Sequence, residues 1–331
     1  MFDVTDIQVL EQVETGVFWD NHIVCFTLFT ENKTFYYNMR TASKQTVVDH
    51  DEMNACKEEW DTRLKLKCPF IVKFLTSFQD MDYIYYVTEL CKGGYFYQYL
   101  RDAKYFSKDI VRFYFAEIVL GIQYLHRKGY MYRLLAPNNI MLCEKGHIKL
   151  KYDFLNALGL SEEDYLSKIE YIPIDYIRTE KIDYVSDYWS MGIILYEMLV
   201  GRTPFHGRSH RETIQNILNA KLVFPDHVDN VSRDLISKLL ERDPAKRLGA
   251  KPNDKYVLRE HKFFEGMYWN NIYERTIPAP IRVPPFKWYG IKEGRTIRDV
   301  FPYRLKSRIV DGFGKTFRYY GTSNDSIEYL W

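Results

Sequence analysis

The sequence predicts an α+β protein in two parts, a five-stranded antiparallel sheet with one helix and then a mainly helical region. Two observations support this division. Up to about residue 90, short segments are rich in β-branched and aromatic residues, whereas after the glycine pair at 93–94 apolar residues recur at helical spacing. The five strand segments are residues 7–13, 22–30, 34–39, 71–78 and 83–89, and a polar helix over residues 49–66 separates the third strand from the fourth.

The helical part begins with an amphipathic helix whose apolar face runs from Val111 to Leu125, with Ser107 as its expected N-cap. Apolar patterns predict a second helix over residues 185–199 and a third over residues 232–240. From about Phe264 the composition shifts to Pro, Trp, Tyr and basic residues. This shift predicts an extended tail laid on a surface.

Composition and charge exclude several classes of protein. The chain has 331 residues, of which 46% are hydrophobic, so it is globular and not disordered. Its formal net charge is +2, from 46 Lys and Arg against 44 Asp and Glu. This balance gives no broad basic field of the kind that binds nucleic acid or a membrane surface. Binding partners must therefore be inferred from individual binding-site residues and not from the overall charge.

The cysteines and the apolar segments predict a cytoplasmic or nuclear protein. Five scattered cysteines show no metal-type pairing and fit a reducing compartment. The first residues carry Asp3, Asp6 and Glu11, which argues against a signal peptide. The longest apolar stretch, residues 191–200, is about half the length that spans a bilayer. We therefore expect no membrane span.

One segment carries a specific resemblance. Residues 131–140 read MYRLLAPNNI, which resembles the catalytic loop of protein kinases, where Arg-Asp-Leu-Lys-Pro leads to an Asn. Further kinase landmarks follow in order over almost the whole chain: YNMR at 37–40, Glu59, DFL at 153–155, PID at 173–175, DYWSMG at 187–192 and DPAKRL at 243–248. The likeness is greatest to the AGC group, and within it to cAMP-dependent kinases, as KQTVV at 44–48 and GKTF at 314–317 also indicate.

The resemblance implies a bilobal protein-kinase fold. It places a kinase-like N-lobe, with the sheet and a helix αC, at residues 1–91. A mainly helical C-lobe would cover residues 92–264, and an AGC-type C-terminal tail residues 265–331.

Two positions of the catalytic loop depart from the family. Leu134 stands where kinases carry the Asp that orients the substrate hydroxyl, and Ala136 where they carry a Lys on the transferred phosphate, while Arg133 and Asn139 match the family. Leucine neither accepts a proton nor hydrogen-bonds a hydroxyl. Losing such a group costs roughly 10²- to 10⁴-fold in rate, or about 3–5 kcal/mol of barrier. The resemblance therefore implies an inactive or strongly impaired serine/threonine kinase.

The nucleotide-binding positions are altered as well. Arg40 replaces the Lys that pairs with phosphate, and its planar guanidinium is a poor copy of an ammonium. Arg40 has three open roles: a structural pair with Glu59, a phosphate contact, or a solvated side chain. Residues 14–19 keep only Gly16 of the glycine-rich cover, so this segment is either a degenerate phosphate loop or an ordinary hairpin. Glu89, at the end of the fifth strand, falls at the nucleotide site by resemblance.

The metal positions are the most complete set. Asn139 matches the loop Asn, and Asp153 matches the Mg²⁺-binding Asp if one residue is inserted before it. Without that insertion, Tyr152 takes the Asp position. The resemblance implies ATP and Mg²⁺ as ligands, and the altered residues predict that their binding is weak or absent.

Several positions concern support and regulation. We expect Asp187 to accept backbone N–H groups of the catalytic loop, and Asp175 to form a buried ion pair with Arg247. Asp164 falls at the site of activation-loop phosphorylation and either pairs with Arg133 or belongs to a solvated acidic run.

The substrate-binding and tail positions are mixed. Of the acidic residues that bind basic substrates in the family, Tyr95 and Asn138 replace two, and Glu197 remains. Phe317 and Tyr320 resemble the motif that folds back onto the N-lobe, which predicts either an intramolecular clamp or a loose tail.

These features favour a pseudokinase that acts as a scaffold or allosteric regulator. The alternatives are a weak or atypical serine/threonine kinase that transfers the ATP γ-phosphate to proteins, and a purely structural protein whose cleft is filled by Trp19 and Tyr152. The expected partners are proteins of kinase signalling, including regulatory proteins of the cAMP-dependent kinase type, and no nucleic acid.

Overall fold

The computed structural model describes residues 7–15, 19–28, 33–49, 53–79, 82–133, 135–152, 166, 168–251, 254–286 and 295–296. Contacts group these residues into two compact units. The first unit holds the described residues up to Lys67 together with Val72–Leu90, Phe286 and residues 295–296, and the second holds Cys68–Ile71 and the described part of Cys91–Pro285. The lobe and tail boundaries given above remain predictions. Within these ranges, none of the helices is both long and apolar enough to cross a bilayer.

The first unit contains the predicted five-stranded antiparallel sheet. Its strands are β1 (Gln8–Thr15), β2 (Asp20–Leu28), β3 (Lys33–Ser43), β4 (Phe74–Gln79) and β5 (Tyr83–Glu89), in the spatial order β4-β5-β3-β2-β1. Tyr85 and Val87 on β5 lie two residues apart, so both side chains point to the same face. They are buried there with Val24 and Met39. The alternation of β-branched and aromatic residues thus builds one buried face of the sheet.

The fourth strand begins later than the sequence predicts. Residues 71–78 were expected to form it, but β4 starts at Phe74. Ile71 belongs to the second unit, where it makes a parallel bridge with Leu150. An apolar run therefore continues from one unit into the next, and hydropathy alone cannot place the boundary.

Two helices of the first unit follow β3. They are α1 (Lys44–Asp49) and α2 (Met53–Lys65), and α2 covers most of the helix predicted over residues 49–66. Two hydrogen bonds join α2 to the sheet, from Trp60 Nε1 to Ser77 Oγ at 2.7 Å and from the Tyr86 hydroxyl to the Cys56 carbonyl at 2.9 Å. The helix is therefore tied to β4 and to β5.

The second unit is mainly helical, as predicted. Its elements are α3 (Phe96–Ala103), α4 (Lys108–Arg127), β6 (Ile140–Leu142), β7 (Ile148–Leu150), α5 (Ile174–Thr179), α6 (Tyr184–Val200), α7 (His210–Asn219), α8 (Asn230–Leu239), α9 (Asp254–Glu260) and α10 (Trp269–Tyr273). Helices α4, α6 and α8 correspond to the three predicted helices. Ser107 is the N-cap residue of α4, as predicted, although its side chain makes no capping hydrogen bond.

Helix α6 is the centre of the second unit. Asp183 caps it by accepting the Val185 N–H at 3.0 Å, and the Ser186 hydroxyl accepts the Asp183 N–H at 3.2 Å, which completes a capping box. Gly201 ends the helix with φ of +84°, a left-handed conformation that favours glycine. Almost the whole helix is buried, and most of its residues are apolar.

The beginning of the tail differs in part from the prediction. Residues 277–286 have neither helix nor strand, as expected for an extended segment, but α10 precedes them. The Ile281 N–H donates to the Tyr114 hydroxyl at 3.1 Å, which holds this segment on α4. A sixth strand, β8 (Arg295–Thr296), pairs with Gln8 and Val9 at the edge of the sheet, and no sequence pattern predicts it.

Candidate active site

The catalytic-loop segment is supported by a buried carboxylate on α6. Asp187 is fully buried, and its oxygens accept the backbone N–H of Tyr132 at 2.8 Å and of Arg133 at 2.7 Å. His126 Nε2 lies 2.7 Å from Asp187 Oδ2. Arg133 has φ of +72°, an unfavourable conformation for a residue with a side chain. Asp187 therefore holds a strained stretch of backbone in place, which confirms the expected supporting role.

Ala136 lies at the start of a short 3₁₀ turn, Pro137–Asn139, and is 1% exposed. Its methyl group offers neither charge nor a hydrogen bond where the resemblance places a Lys. Leu134 lies outside the described residues. Within the described part of the chain, the Arg133 side chain has no hydrogen-bond partner, and Asp164, its suggested partner, also lies outside that part.

Asn139 is positioned by the hairpin of β6 and β7. Its carbonyl accepts the Lys151 N–H at 2.8 Å, and the strand register runs without a bulge from Ile140 opposite Leu150. The inserted residue that would align Asp153 with the metal-binding position therefore does not lie within the paired residues of β6 and β7. Asp153 lies outside the described residues, whereas Tyr152 is 3% exposed and its ring centroid is 6.0 Å from that of Tyr132.

In the first unit, Arg40 and Glu59 form an ion pair, which is one of the three roles that the sequence left open for Arg40. Arg40 Nη1 lies 2.9 Å from Glu59 Oε1, and the two side chains are 6% and 0% exposed. Arg63 Nε reaches the same oxygen at 2.6 Å. The Arg40 guanidinium also lies over the Trp19 ring, 4.6 Å from its centroid. Arg40 is thus a nearly inaccessible cation that is paired with Glu59 and covered by Trp19.

The remaining nucleotide positions of the first unit are also engaged. Glu89 Oε1 accepts the Lys73 N–H at 2.7 Å, and Asn38 Nδ2 donates to Thr88 Oγ1 at 3.4 Å. Gly16 lies outside the described residues. Glu89 and Asn38 are thus each hydrogen-bonded within the first unit.

A second buried ion pair stabilises the helical unit. The Arg247 guanidinium binds both oxygens of Asp175, at 2.5 Å and 2.9 Å, and its Nε donates to the Glu241 carbonyl at 2.8 Å. Arg247 is 1% exposed, so the predicted buried pair is confirmed.

Glu197 belongs to an acidic cluster beside a cavity of about 710 Å³. The Tyr171 hydroxyl donates to Glu197 Oε2 at 2.8 Å, and the neighbouring Glu170 accepts from Thr203 and lies 2.8 Å from His206 Nδ1. The pKa of Glu197 is raised from its ordinary 4.5 to about 7. Burial is the main cause and the charge of Glu170 adds to it, whereas the Tyr171 hydrogen bond opposes the shift. Glu197 is therefore largely protonated below neutral pH.

The raised pKa of Glu197 predicts that stability falls as pH rises from about 5 to 7. Over this range the unfolded chain has lost the proton and the folded chain retains it, so higher pH favours unfolding. The effect is up to about 3 kcal/mol. The measurement is the free energy of unfolding in urea at a series of pH values. We expect Glu197→Gln to abolish most of its decrease between about pH 5 and 7. Glu260→Gln, at an exposed site, should keep it. Equal slopes in both variants would show that Glu197 titrates normally.

Sequence reasoning alone does not single out three residues of these clusters. Arg63 has a usable signal, because it follows Glu59 by four residues on one helix. Glu170 and His126 have none, since their partners come from distant segments. Phe317 and Tyr320 lie outside the described residues, so the fold-back of the tail remains a prediction.

Comparison with known proteins gives one consistent family. Residues 24–264 match the protein kinase domain model. The chain is 32% identical over 285 residues to cAMP-dependent protein kinase type 3 of Saccharomyces cerevisiae, covering 86% of this chain and 70% of that protein. It is 36% identical over 251 residues to the cAMP-dependent protein kinase, catalytic subunit-like, of Caenorhabditis elegans, covering 74% and 62%.

A third relative extends the comparison. The chain is 35% identical over 286 residues to the RAC family serine/threonine-protein kinase homolog of Dictyostelium discoideum, covering 83% of this chain and 62% of that protein. Each alignment thus leaves about a third of the relative's length unmatched. The domain match covers most of the chain and agrees with the five-stranded sheet and the helical unit. The chain therefore belongs to the protein kinase domain family, with relatives in the AGC group.

Proposed function

We propose that this protein is a catalytically impaired AGC-type kinase that acts by binding, as a scaffold or allosteric regulator in kinase signalling. One observation carries the proposal: the catalytic loop holds Leu134 and Ala136 where a working kinase needs a carboxylate and an ammonium. The two residues have different roles in the same phosphoryl-transfer step, the orientation of the nucleophile and the stabilisation of the transferred phosphate, so we expect both losses to lower its rate.

The surroundings of Arg40 support the same proposal. Its guanidinium is 6% exposed, is paired with Glu59 and lies against Trp19. A side chain that is covered in this way offers little accessible surface to a phosphate. Arg40 thus fits poorly to an ATP phosphate. Asn139, and Asp153 in the register with one insertion, are the residues that would hold Mg²⁺. We therefore expect ATP and Mg²⁺ to bind weakly or not at all.

A weak serine/threonine kinase is the second candidate. It is favoured by the intact support of the loop, since Asp187 still holds the backbone of Tyr132 and Arg133. For either candidate we propose a cytoplasmic location and protein partners of kinase signalling, including regulators of the cAMP-dependent kinase type.

A transfer assay tests the proposal directly. The full chain is incubated with γ-labelled ATP, Mg²⁺ and a mixture of protein substrates, and we expect no transfer above a heat-inactivated sample. A parallel thermal melt with ATP and Mg²⁺ separates the binding roles: a shift without transfer favours an allosteric regulator, and no shift favours a scaffold. Transfer at ordinary kinase rates would refute the proposal.

The double variant Leu134→Asp with Ala136→Lys is the matched gain-of-function test. Each missing catalytic group is worth roughly 10²- to 10⁴-fold, so restoring both should raise any residual rate measurably if the remaining site is competent. The single variants should each give less than the double. If ATP binds and the double variant still transfers nothing, Arg40 or the segment around Gly16 limits catalysis.

A further inference from the structure

A second guanidinium, that of Arg63, also contacts Glu59 in the Arg40–Glu59 ion pair. The resemblance to protein kinases does not account for it. Arg63 Nε lies 2.6 Å from Glu59 Oε1, closer than Arg40 Nη1 at 2.9 Å. All three side chains are nearly inaccessible, at 6%, 0% and 6% for Arg63, Glu59 and Arg40. The other carboxylate oxygen, Glu59 Oε2, has no hydrogen-bond partner within the described ranges. Two cations therefore fix one oxygen of one buried carboxylate.

The two arginines belong to different elements. Arg40 lies on β3, whereas Arg63 lies on α2, one turn after Glu59. When α2 moves, Arg63 moves with Glu59, but Arg40 stays with the sheet. Arg63 therefore keeps the carboxylate oriented and its charge compensated, and Arg40 converts that fixed carboxylate into a link to the sheet.

We propose that Arg63 is a positioning residue that fixes Glu59 for Arg40, so that α2 keeps its place on the sheet without a bound nucleotide. This inference holds whether or not the chain transfers phosphate. Because both cations on Glu59 Oε1 come from the chain itself, the link between α2 and β3 needs no atom of a nucleotide.

The neighbouring contacts support a ligand-independent position. Trp19 covers the Arg40 guanidinium at 4.6 Å and packs on Tyr86 with ring centroids 4.7 Å apart. The Tyr86 hydroxyl binds the Cys56 carbonyl of α2, and Trp60 of α2 binds Ser77 on β4. With the Arg40 link, α2 is tied by side chains to β3, β4 and β5.

A double-mutant comparison tests the proposal by hydrogen exchange of the peptide that covers α2 in the full chain. Arg63→Leu should speed exchange about tenfold or more, because a charge-assisted buried hydrogen bond is lost. In the double variant Arg40→Met with Arg63→Leu, Glu59 is buried without a cation. Its α2 exchange rate should therefore increase by about tenfold or more beyond the product of the increases in the two single variants. Effects that simply multiply would overturn the proposal.

Three further samples make the test specific. Arg63→Lys keeps the charge and should retain most of the protection. If Arg63→Leu does not fold, Arg63→Gln, which removes the charge but keeps a hydrogen-bond donor, replaces it in the comparison. In a Glu59→Gln background, Arg63→Leu should lose its effect. Lys65→Leu, an exposed site on the same helix, should leave exchange unchanged. A Lys65→Leu effect as large as that of Arg63→Leu would contradict the assignment.

Nucleotide addition gives the last readout. In the wild-type chain, α2 exchange should be the same with and without ATP and Mg²⁺. Slower exchange of α2 on addition of ATP and Mg²⁺ would overturn the claim that its position needs no ligand.

Discussion

Replacing Asp187 by Ala is expected to destabilise the helical unit by about 3–5 kcal/mol. The fully buried carboxylate accepts two backbone N–H groups and contacts His126 Nε2. Its removal leaves these donors buried without an acceptor, and each such donor costs about 1–3 kcal/mol. It also releases the backbone of Arg133 from its left-handed conformation. The loss should appear as a lower free energy of unfolding in urea denaturation. Hydrogen exchange of α4 and α6 should be faster as well.

The matched control for this change is Asp109→Ala. That carboxylate is 94% exposed and lies 3.8 Å from Arg112, so it should cost less than about 1 kcal/mol. Asp187→Asn should lie between the two, since an amide retains one acceptor oxygen but presents N–H groups to other donors. An Asp187→Ala protein as stable as the Asp109→Ala control would show that the loop does not depend on this carboxylate.

Replacing Arg247 by Leu is expected to cost about 3–5 kcal/mol. The guanidinium binds both Asp175 oxygens and the carbonyls of Glu241 and Val185, and it lies over Trp189 with 5.2 Å to the ring centroid. Its loss leaves Asp175 without its cation in a site that is 13% exposed. Urea denaturation of the variant should show the loss directly.

Two neighbouring changes sharpen the Arg247 result. Arg247→Lys keeps the charge but loses the planar fork, so it should recover only part of the stability. Lys246→Ala, next in sequence and 76% exposed, should change stability by less than about 1 kcal/mol. Full recovery by Lys would mean that charge alone, and not the two-point geometry, stabilises this turn.

Both supporting roles, those of Asp187 and Arg247, are predictable because they belong to segments with specific sequence motifs. The strands, the amphipathic α4 and the apolar α6 are also predictable, since local periodicity reports which face of an element is buried. The boundaries of helices and strands are harder to predict from the sequence. The run from Ile71 into β4 is continuous in hydropathy but divided between two units. The short helices were not predicted because they lack a long periodic pattern.

The sequence by itself determined the family resemblance and the replacement of two catalytic groups by Leu134 and Ala136, because residue identity at a motif position needs no coordinates. Only the tertiary structure decided that Glu59 is shared by Arg40 and Arg63 under Trp19, and that Glu197 is bonded to Tyr171. The physical reason is that burial and pairing set the charge state and availability of these side chains. Both depend on contacts between segments far apart in the chain.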